Sequence, residues 1–399
     1  MIHPQEADTL FSQLKALKNR ALLRFDRYQR SGFFHDSPHD ISLDRHLHEA
    51  VEWLKRAQDA GTDRGVSYGA DFGGPWLDSY PETTGYIIPT FLKLADYYKD
   101  VSFIRRASEM GAWESEVQMD CGAVMGGRIN PNPTPAVFNT GMVLLGWAAL
   151  YRRVGNAKVQ RSMRRAVDWL LSIQEPDGNW NKGNSRFANP NTTVYNVKAA
   201  WGMCEAGRLL QIPEAIEGAV RSAEFCLSKQ LSNGWFADCC LSDASQPLLH
   251  TLAYAMQGLI GIAAITSRRD FIDAATRTAD TLMGLMDDDG FIPGRIGPDF
   301  KGTVDWCCLT GTAQTAIVWG RLYQLTGNSR YLNAMHRANV YLMRRHDISN
   351  EDPRLRGGVP GAWPVWGDYG RLMVLNWATN FFVEALLLEK CITMQADLN

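Results

Sequence analysis

Apolar positions along this chain fall into two alternating patterns. In segments such as Lys158–Gln174 the apolar residues form one stripe and Arg and Lys the other, which predicts a helix with one wet face. Leu43–Gln58, Ser102–Gln118, Ile212–Gln230, Asp270–Met286 and Arg330–Arg345 read the same way. Between them lie segments that are apolar nearly all round: Gly85–Tyr98, Gly141–Tyr151, Val194–Leu210, Leu252–Ile265, Thr312–Leu325 and Ala378–Leu388. A helix with no wet face has to be buried. No stretch alternates with period two over a strand's length, so little sheet is expected. The pattern predicts twelve helices, six sheathed by six, with Ala7–Arg30 as an additional helix capping the ring.

The alternation is periodic. Equivalent positions at Trp53, Trp113, Trp169, Phe225, Thr281 and Tyr341 recur every 56–60 residues, and a Gly- or aromatic-marked turn follows each. Two helices of roughly 15–20 residues plus two connections occupy such a period. Fixed self-similarity overrides the prior from length, because each hairpin needs its neighbours to bury its apolar face. The expectation is one all-α domain over residues 1–399: residues 1–40 as lead-in and cap, and residues 41–399 as an (α/α)6 toroid of six helical hairpins.

Composition narrows the function. A net charge of -2 gives no basic footprint for nucleic acid. The start, Met-Ile-His-Pro-Gln-Glu-Ala-Asp, lacks the layout of a signal peptide, and no uninterrupted apolar run reaches the ~18 residues that span a bilayer. The eight cysteines show no CxxC spacing and read as reduced thiols. A cytoplasmic protein with no metal, no cofactor and no transmembrane segment is expected. Met286-Asp-Asp-Asp-Gly290 reads as a polar turn.

Chemistry is expected at one end of the ring. The inner segments open on Thr83-Thr84-Gly85, Asn139-Thr140-Gly141, Asn191-Thr192-Thr193, His250-Thr251, Thr310-Gly311-Thr312 and Asn376-Trp377-Ala378-Thr379, where Thr and Asn are expected to cap exposed N–H groups. Six such ends around one cavity favour anionic or hydroxyl-rich ligands. The longest loops lead into the same ends and carry aromatic and polar residues together, including Arg186 and Phe187 in the third. Sugars stack on aromatic rings and take bidentate bonds from carboxylates and amides. The candidate substrate-binding residues are Asp78, Tyr80, Tyr195, Asn196, Trp306, Trp363, Trp366, Tyr369 and Arg371. The candidate catalytic residues are Glu82, Asp305, Asp368 and His250. Glu82 as acid and Asp305 as base or nucleophile form the carboxylate pair that glycoside hydrolysis wants. A lyase or epimerase would use His250 with Tyr195, Asn196, Tyr369 and Arg371 instead. His46, His48 and His336 lie on outer helices and are read as solvated.

The period and the element Gln174-x-x-x-Gly178-x-Trp180 resemble the α/α toroid proteins. That group includes squalene-cyclase and prenyltransferase repeats, unsaturated glucuronyl hydrolases, N-acylglucosamine epimerases and several polysaccharide lyases. The stretches Ser79-Tyr-Pro-Glu82-Thr-Thr-Gly85-Tyr and Gly357-Gly-Val-Pro-Gly-Ala-Trp363-Pro-Val-Trp366 look like family signatures. Val304-Asp305-Trp-Cys307-Cys308-Leu-Thr310 resembles the acid motif of oxidosqualene cyclases, which keeps a terpene cyclase as an alternative. Against it, Asp-x-Asp-Asp is absent and the Gln–Trp element is clean only in the third repeat. The resemblance implies the toroid fold and, with the loops, an enzyme acting on a small molecule or oligosaccharide. A non-catalytic glycan-binding module is the third possibility.

Overall fold

A computed structural model describes residues 41–396 except 186, 187, 190 and 192. The expected cap at Ala7–Arg30, and Arg186 and Phe187, lie outside the described residues. The outer helices are α1 (Leu43–Asp59), α3 (Ser102–Val117), α5 (Ala157–Ser172), α7 (Pro213–Ser228), α9 (Arg269–Leu285) and α11 (Ser329–Met343). The inner helices are α2 (Pro81–Tyr98), α4 (Val137–Val154), α6 (Val197–Leu210), α8 (Leu249–Thr266), α10 (Leu309–Thr326) and α12 (Asn376–Ala396). Each inner helix packs on the next, and α12 packs back on α2, so the inner ring is closed. The chain is an (α/α)6 toroid. Among the described helices, α8 alone is long and apolar enough to cross a membrane, and it is an inner helix, largely buried in the ring.

Glycine sets how tightly the inner helices meet. A Cβ on Gly146 would sit 2.1 Å from the Gly85 carbonyl oxygen, and one on Gly202 would sit 2.0 Å from that of Gly141. Any side chain there would push two backbones apart.

The Gln-x-x-x-Gly turn is the clip between repeats. Gln174 Nε2 donates to Gly178 O (3.0 Å) within the turn and to Gly218 O (2.9 Å) on the next outer helix. Gln118 does the same with Gly122 and Ser162, and Gln230 with Gly234 and Ala274. The turn glycines 122, 178, 234 and 290 all hold φ between 88° and 96°, the left-handed region glycine enters without cost. An arginine from the following helix closes each clip: Arg165 on Gln118, Arg221 on Gln174 and Arg277 on Gln230. Trp180 and Trp235 plug these turns, donating to Leu170 O and Ile296 O.

The loops above the inner-helix N-termini bond to one another around the ring. Successive links are Ile129 to Ser79, Val137 to Gly183, Asn189 to Leu241 and Leu249 to Gly294. Four short strands, absent from the sequence reading, complete this collar. Strand β2 (Cys307–Cys308) pairs antiparallel with β3 (Ala362–Trp363), and β1 (Gly69–Asp71) pairs with β4 (Met373–Leu375).

Two expectations need correction. No inner helix with a described N-terminus has a side-chain N-cap bond; the first-turn threonines tie down the incoming loop instead. Thr84 Oγ1 accepts from Val66 N (2.9 Å), Thr140 Oγ1 from Val124 N (2.8 Å) and Thr379 Oγ1 from Val359 N (2.9 Å). His46 is fully buried rather than solvated, because it lies on the face of α1 that meets α12; its Nδ1 is 2.8 Å from Nδ1 of buried His346. His48 is exposed, and His336 bonds Glu389 at 2.6 Å.

Candidate functional site

Two neighbouring regions hold the expected residues. The inner one is built on the first turns of the inner helices. Pro81 starts α2 at a position where its missing N–H costs nothing. That leaves Glu82 in the first turn, where the helix dipole favours a carboxylate. Glu82 is buried, and the Tyr80 hydroxyl donates to its Oε2 at 2.5 Å. Burial pushes the Glu82 carboxyl up to about 7, against the pull of the Tyr80 bond and the charge of Lys198. A carboxyl so placed carries a proton near neutrality and can give it away.

Aromatic rings surround this group. Tyr68 stacks on Tyr80 at 5.5 Å, and Trp377 meets Tyr68 edge-on at 4.6 Å. Trp377 Nε1 donates to the Tyr369 hydroxyl at 2.8 Å. The Tyr369 ring lies 4.7 Å from His250, whose other side meets Tyr254 edge-on at 5.2 Å. Burial lowers His250 to about 3, and Arg295 and Lys198 push it the same way, so the imidazole is neutral and a poor proton acceptor. Tyr195 and Phe138 continue the wall at 5.4 Å. Asn196 is buried beside them, with its Nδ2 3.4 Å from Asn184 Oδ1.

The outer region is a cleft of about 280 Å³ lined by Asp305, Trp306, Pro364, Trp366, Gly367, Asp368 and Arg371. It lies where the loops carrying β2 and β3 meet. Trp306 is buried, whereas Trp366 is 58% exposed. Asp305 and Asp368 are exposed, and Arg371 reaches Asp368 at 3.6 Å. Trp363 is half-buried on β3 and pairs with Cys307. Asp78 is exposed on the first loop, 3.6 Å from Arg128, whose guanidinium lies 5.7 Å above the Tyr68 ring.

The structure therefore brings Asp305, Asp368, Trp306, Trp366 and Arg371 together, and Glu82, Tyr80, Tyr195, Asn196 and His250 together. Glu82 does not line the cleft with the two aspartates. Tyr369 joins the two sets, following Asp368 in the chain and meeting the His250 ring at a tilt of 35°.

Sequence reasoning missed Lys198, Tyr254, Gln257 and Tyr68. Lys198 is buried on α6, with its Nζ 4.4 Å from the Tyr254 ring centre and 4.5 Å from that of Phe381, and it donates to Gln257 Oε1 at 2.7 Å. Burial lowers its pKa to about 7, opposed by Glu384 and Glu82. The signal was present: Lys198 is a charge within a segment otherwise read as apolar all round. No cluster of three or more His, Cys, Asp or Glu placed to hold a metal occurs among the described residues.

No family model matches the chain, and no curated protein matches it. Solved structures do match in shape. An unsaturated glucuronyl hydrolase specific for heparin superposes with a TM-score of 0.70 at 15% identity, covering 88% of this chain and 98% of its own. An unsaturated glucuronyl hydrolase from Bacillus sp. GL1 gives 0.68 at 14% identity, covering 86% and 96%. Cellobiose 2-epimerase from Bacillus thermoamylovorans B4167 gives 0.70 at 11% identity, covering 86% and 97%. At these identities the similarity is one of fold, and that fold is the α/α toroid.

Proposed function

We propose that this chain is a carbohydrate-active enzyme, a glycoside hydrolase for an oligosaccharide bearing an acidic sugar, with Glu82 as its proton donor. The observation that carries the reading is the Glu82 carboxyl, buried among aromatic rings and holding a proton near neutrality. The fold supports it, since the glucuronyl hydrolases and the epimerase that share it act on sugars by name. Glu82 gives its proton to the glycosidic oxygen as the C–O bond breaks. A water adds its oxygen to the anomeric carbon and loses its proton to a carboxylate. Asp305 and Asp368 supply the candidates for that second group, and the exposed Trp366 ring offers a stacking face for the sugar beyond the broken bond. The acidic sugar is suggested by the names of the glucuronyl hydrolases that share the fold; Arg128 and Arg371, here beside Asp78 and Asp368, are the cations at hand to meet it. Hydrolysis is preferred to epimerisation because neutral His250 is too weak a base to draw a proton from carbon.

The test is incubation with oligosaccharides ending in neutral, uronic and unsaturated uronic residues, read by mass spectrometry. Two fragments summing to substrate plus one water are expected, with Glu82→Gln folded and inactive. A product of unchanged mass would make the enzyme an epimerase, and full turnover by the folded Glu82→Gln protein would remove Glu82 from the chemistry.

A further inference from the structure

Lys198 is an unusual tenant of a toroid's interior. Burying an ammonium is costly unless something nearby compensates it. Among the described residues no carboxylate lies within ion-pair distance of it, and its hydrogen bond goes to a neutral amide, Gln257. Its Nζ instead faces the rings of Tyr254, Phe381 and, at 5.8 Å, Tyr86. Tyr86 stands one helical turn after Glu82 on α2, so the amine points at the face of α2 that carries Glu82. Gln257 on α8 and the three rings fix the amine in this place, where a flexible lysine would otherwise move to water.

The titratable groups near this amine come from α2, α8 and α12, with others beside them at the start of α6. Glu82, Tyr80 and Tyr86 belong to the start of α2, and Tyr195 precedes α6 itself. His250 and Tyr254 face it from α8. Glu384 faces it from α12, but is taken up by Lys93 at 2.7 Å, with Arg321 of α10 adding positive charge there. Glu384 is the stronger of the two carboxylate influences on Lys198 but is already ion-paired with Lys93, whereas Glu82 has no ion-paired cation among the described residues, so Glu82 is the carboxyl left to respond to this amine.

We propose that Lys198 is a positioning residue whose caged amine shares the protonation equilibrium of Glu82 without itself touching the sugar. The inference rests on the reading of Glu82 as proton donor only for its effect on rate. The amine and the carboxyl respond to one another, so their protons come off as a coupled pair. Removing the positive charge leaves Glu82 holding its proton to higher pH.

Two measurements separate this proposal from the function it serves. Infrared titration follows the protonated carboxyl band that Glu82→Gln removes, and needs no substrate. In Lys198→Met the midpoint of that band moves alkaline, by a fraction of the roughly 1–3 pH units that a fully charged neighbour would give, because the amine itself titrates at about 7. The alkaline limb of kcat/KM moves with it. A structural role would lower the unfolding midpoint or the rate and leave both pH midpoints in place. If Lys198→Met does not fold, Gln257→Leu removes the anchor of the charged amine and moves the band in the same direction by less. An unmoved band in the folded variant overturns the proposal. A band that moves while the rate limb stays fixed upholds it and overturns instead the role of Glu82 as donor.

Discussion

Acid should weaken the seam between the first and last helices, and His346 sets the size of the effect. His346 is 1% exposed, touches His46 at 2.8 Å and lies 4.8 Å from the Phe382 ring of α12. Burial first, and the neighbouring His46 second, lower its pKa to about 3. In the unfolded chain a histidine titrates near 6.5. Above that value both states are neutral, and the stability is fully present. As pH falls through 6.5 the unfolded chain takes a proton that the folded protein refuses until about 3, so stability is lost across that window. From pH 7 to 5 the loss is about 2 kcal/mol, and it depends only on the folded value lying well below 5. Glu82 works the other way, since its raised pKa of about 7 lets the folded protein keep a proton that the unfolded chain has released. The pH slope of the whole protein therefore hides the histidine, and a variant is needed to isolate it. Urea unfolding of the wild type and His346→Gln at pH 7, 6 and 5 gives the difference. The wild-type advantage should shrink by about 2 kcal/mol between pH 7 and 5. A difference that stays constant with pH would show that His346 is not held neutral, and the account of the seam would fail.

Turnover should fall as pH rises past about 7, as Glu82 loses the proton it must donate, and a pH–rate profile measures this. Gly146→Ala or Gly202→Ala should cost several kcal/mol in urea unfolding, because each new Cβ would meet a rigid backbone oxygen. Gln174→Ala should cost about 1–3 kcal/mol, since both Gly178 O and Gly218 O lose their donor. Trp366→Ala should raise KM several-fold with little change in kcat, as expected of a ring that holds the sugar, and steady-state kinetics measure the split.

The architecture was legible because burial writes itself into periodicity. A helix wet on one face and a helix dry on all faces differ residue by residue, and six such pairs leave no other ring order. The Gln–Gly element was visible as a mark, but not as a clip, since its partner carbonyls at Ser162, Gly218 and Ala274 carry no side-chain signature. The collar strands are two or three residues long and pair across loops remote in sequence, too short to show alternation. The aromatic and acidic loop residues were visible, and so was their common end of the ring. Their division into a buried Glu82 set and an open Asp305–Asp368 cleft depends on depth along the axis, which no spacing encodes. Lys198 was passed over because one charge does not change a helix's pattern, although in a segment otherwise apolar all round that single charge was the informative residue.

The collar's last stitch has a consequence for how the molecule comes apart. Asn376 at the start of α12 donates to Ser67 O across 309 positions of sequence, beside the pairing of β1 with β4. A linear stack of helical hairpins has two ends, and it frays inward from them one repeat at a time. A ring fastened at that seam has no end to fray from, so opening any one hairpin strips contacts from the neighbours on both sides. Unfolding becomes a single cooperative event, and closing the seam is the slowest contact to make, because it joins the most distant residues.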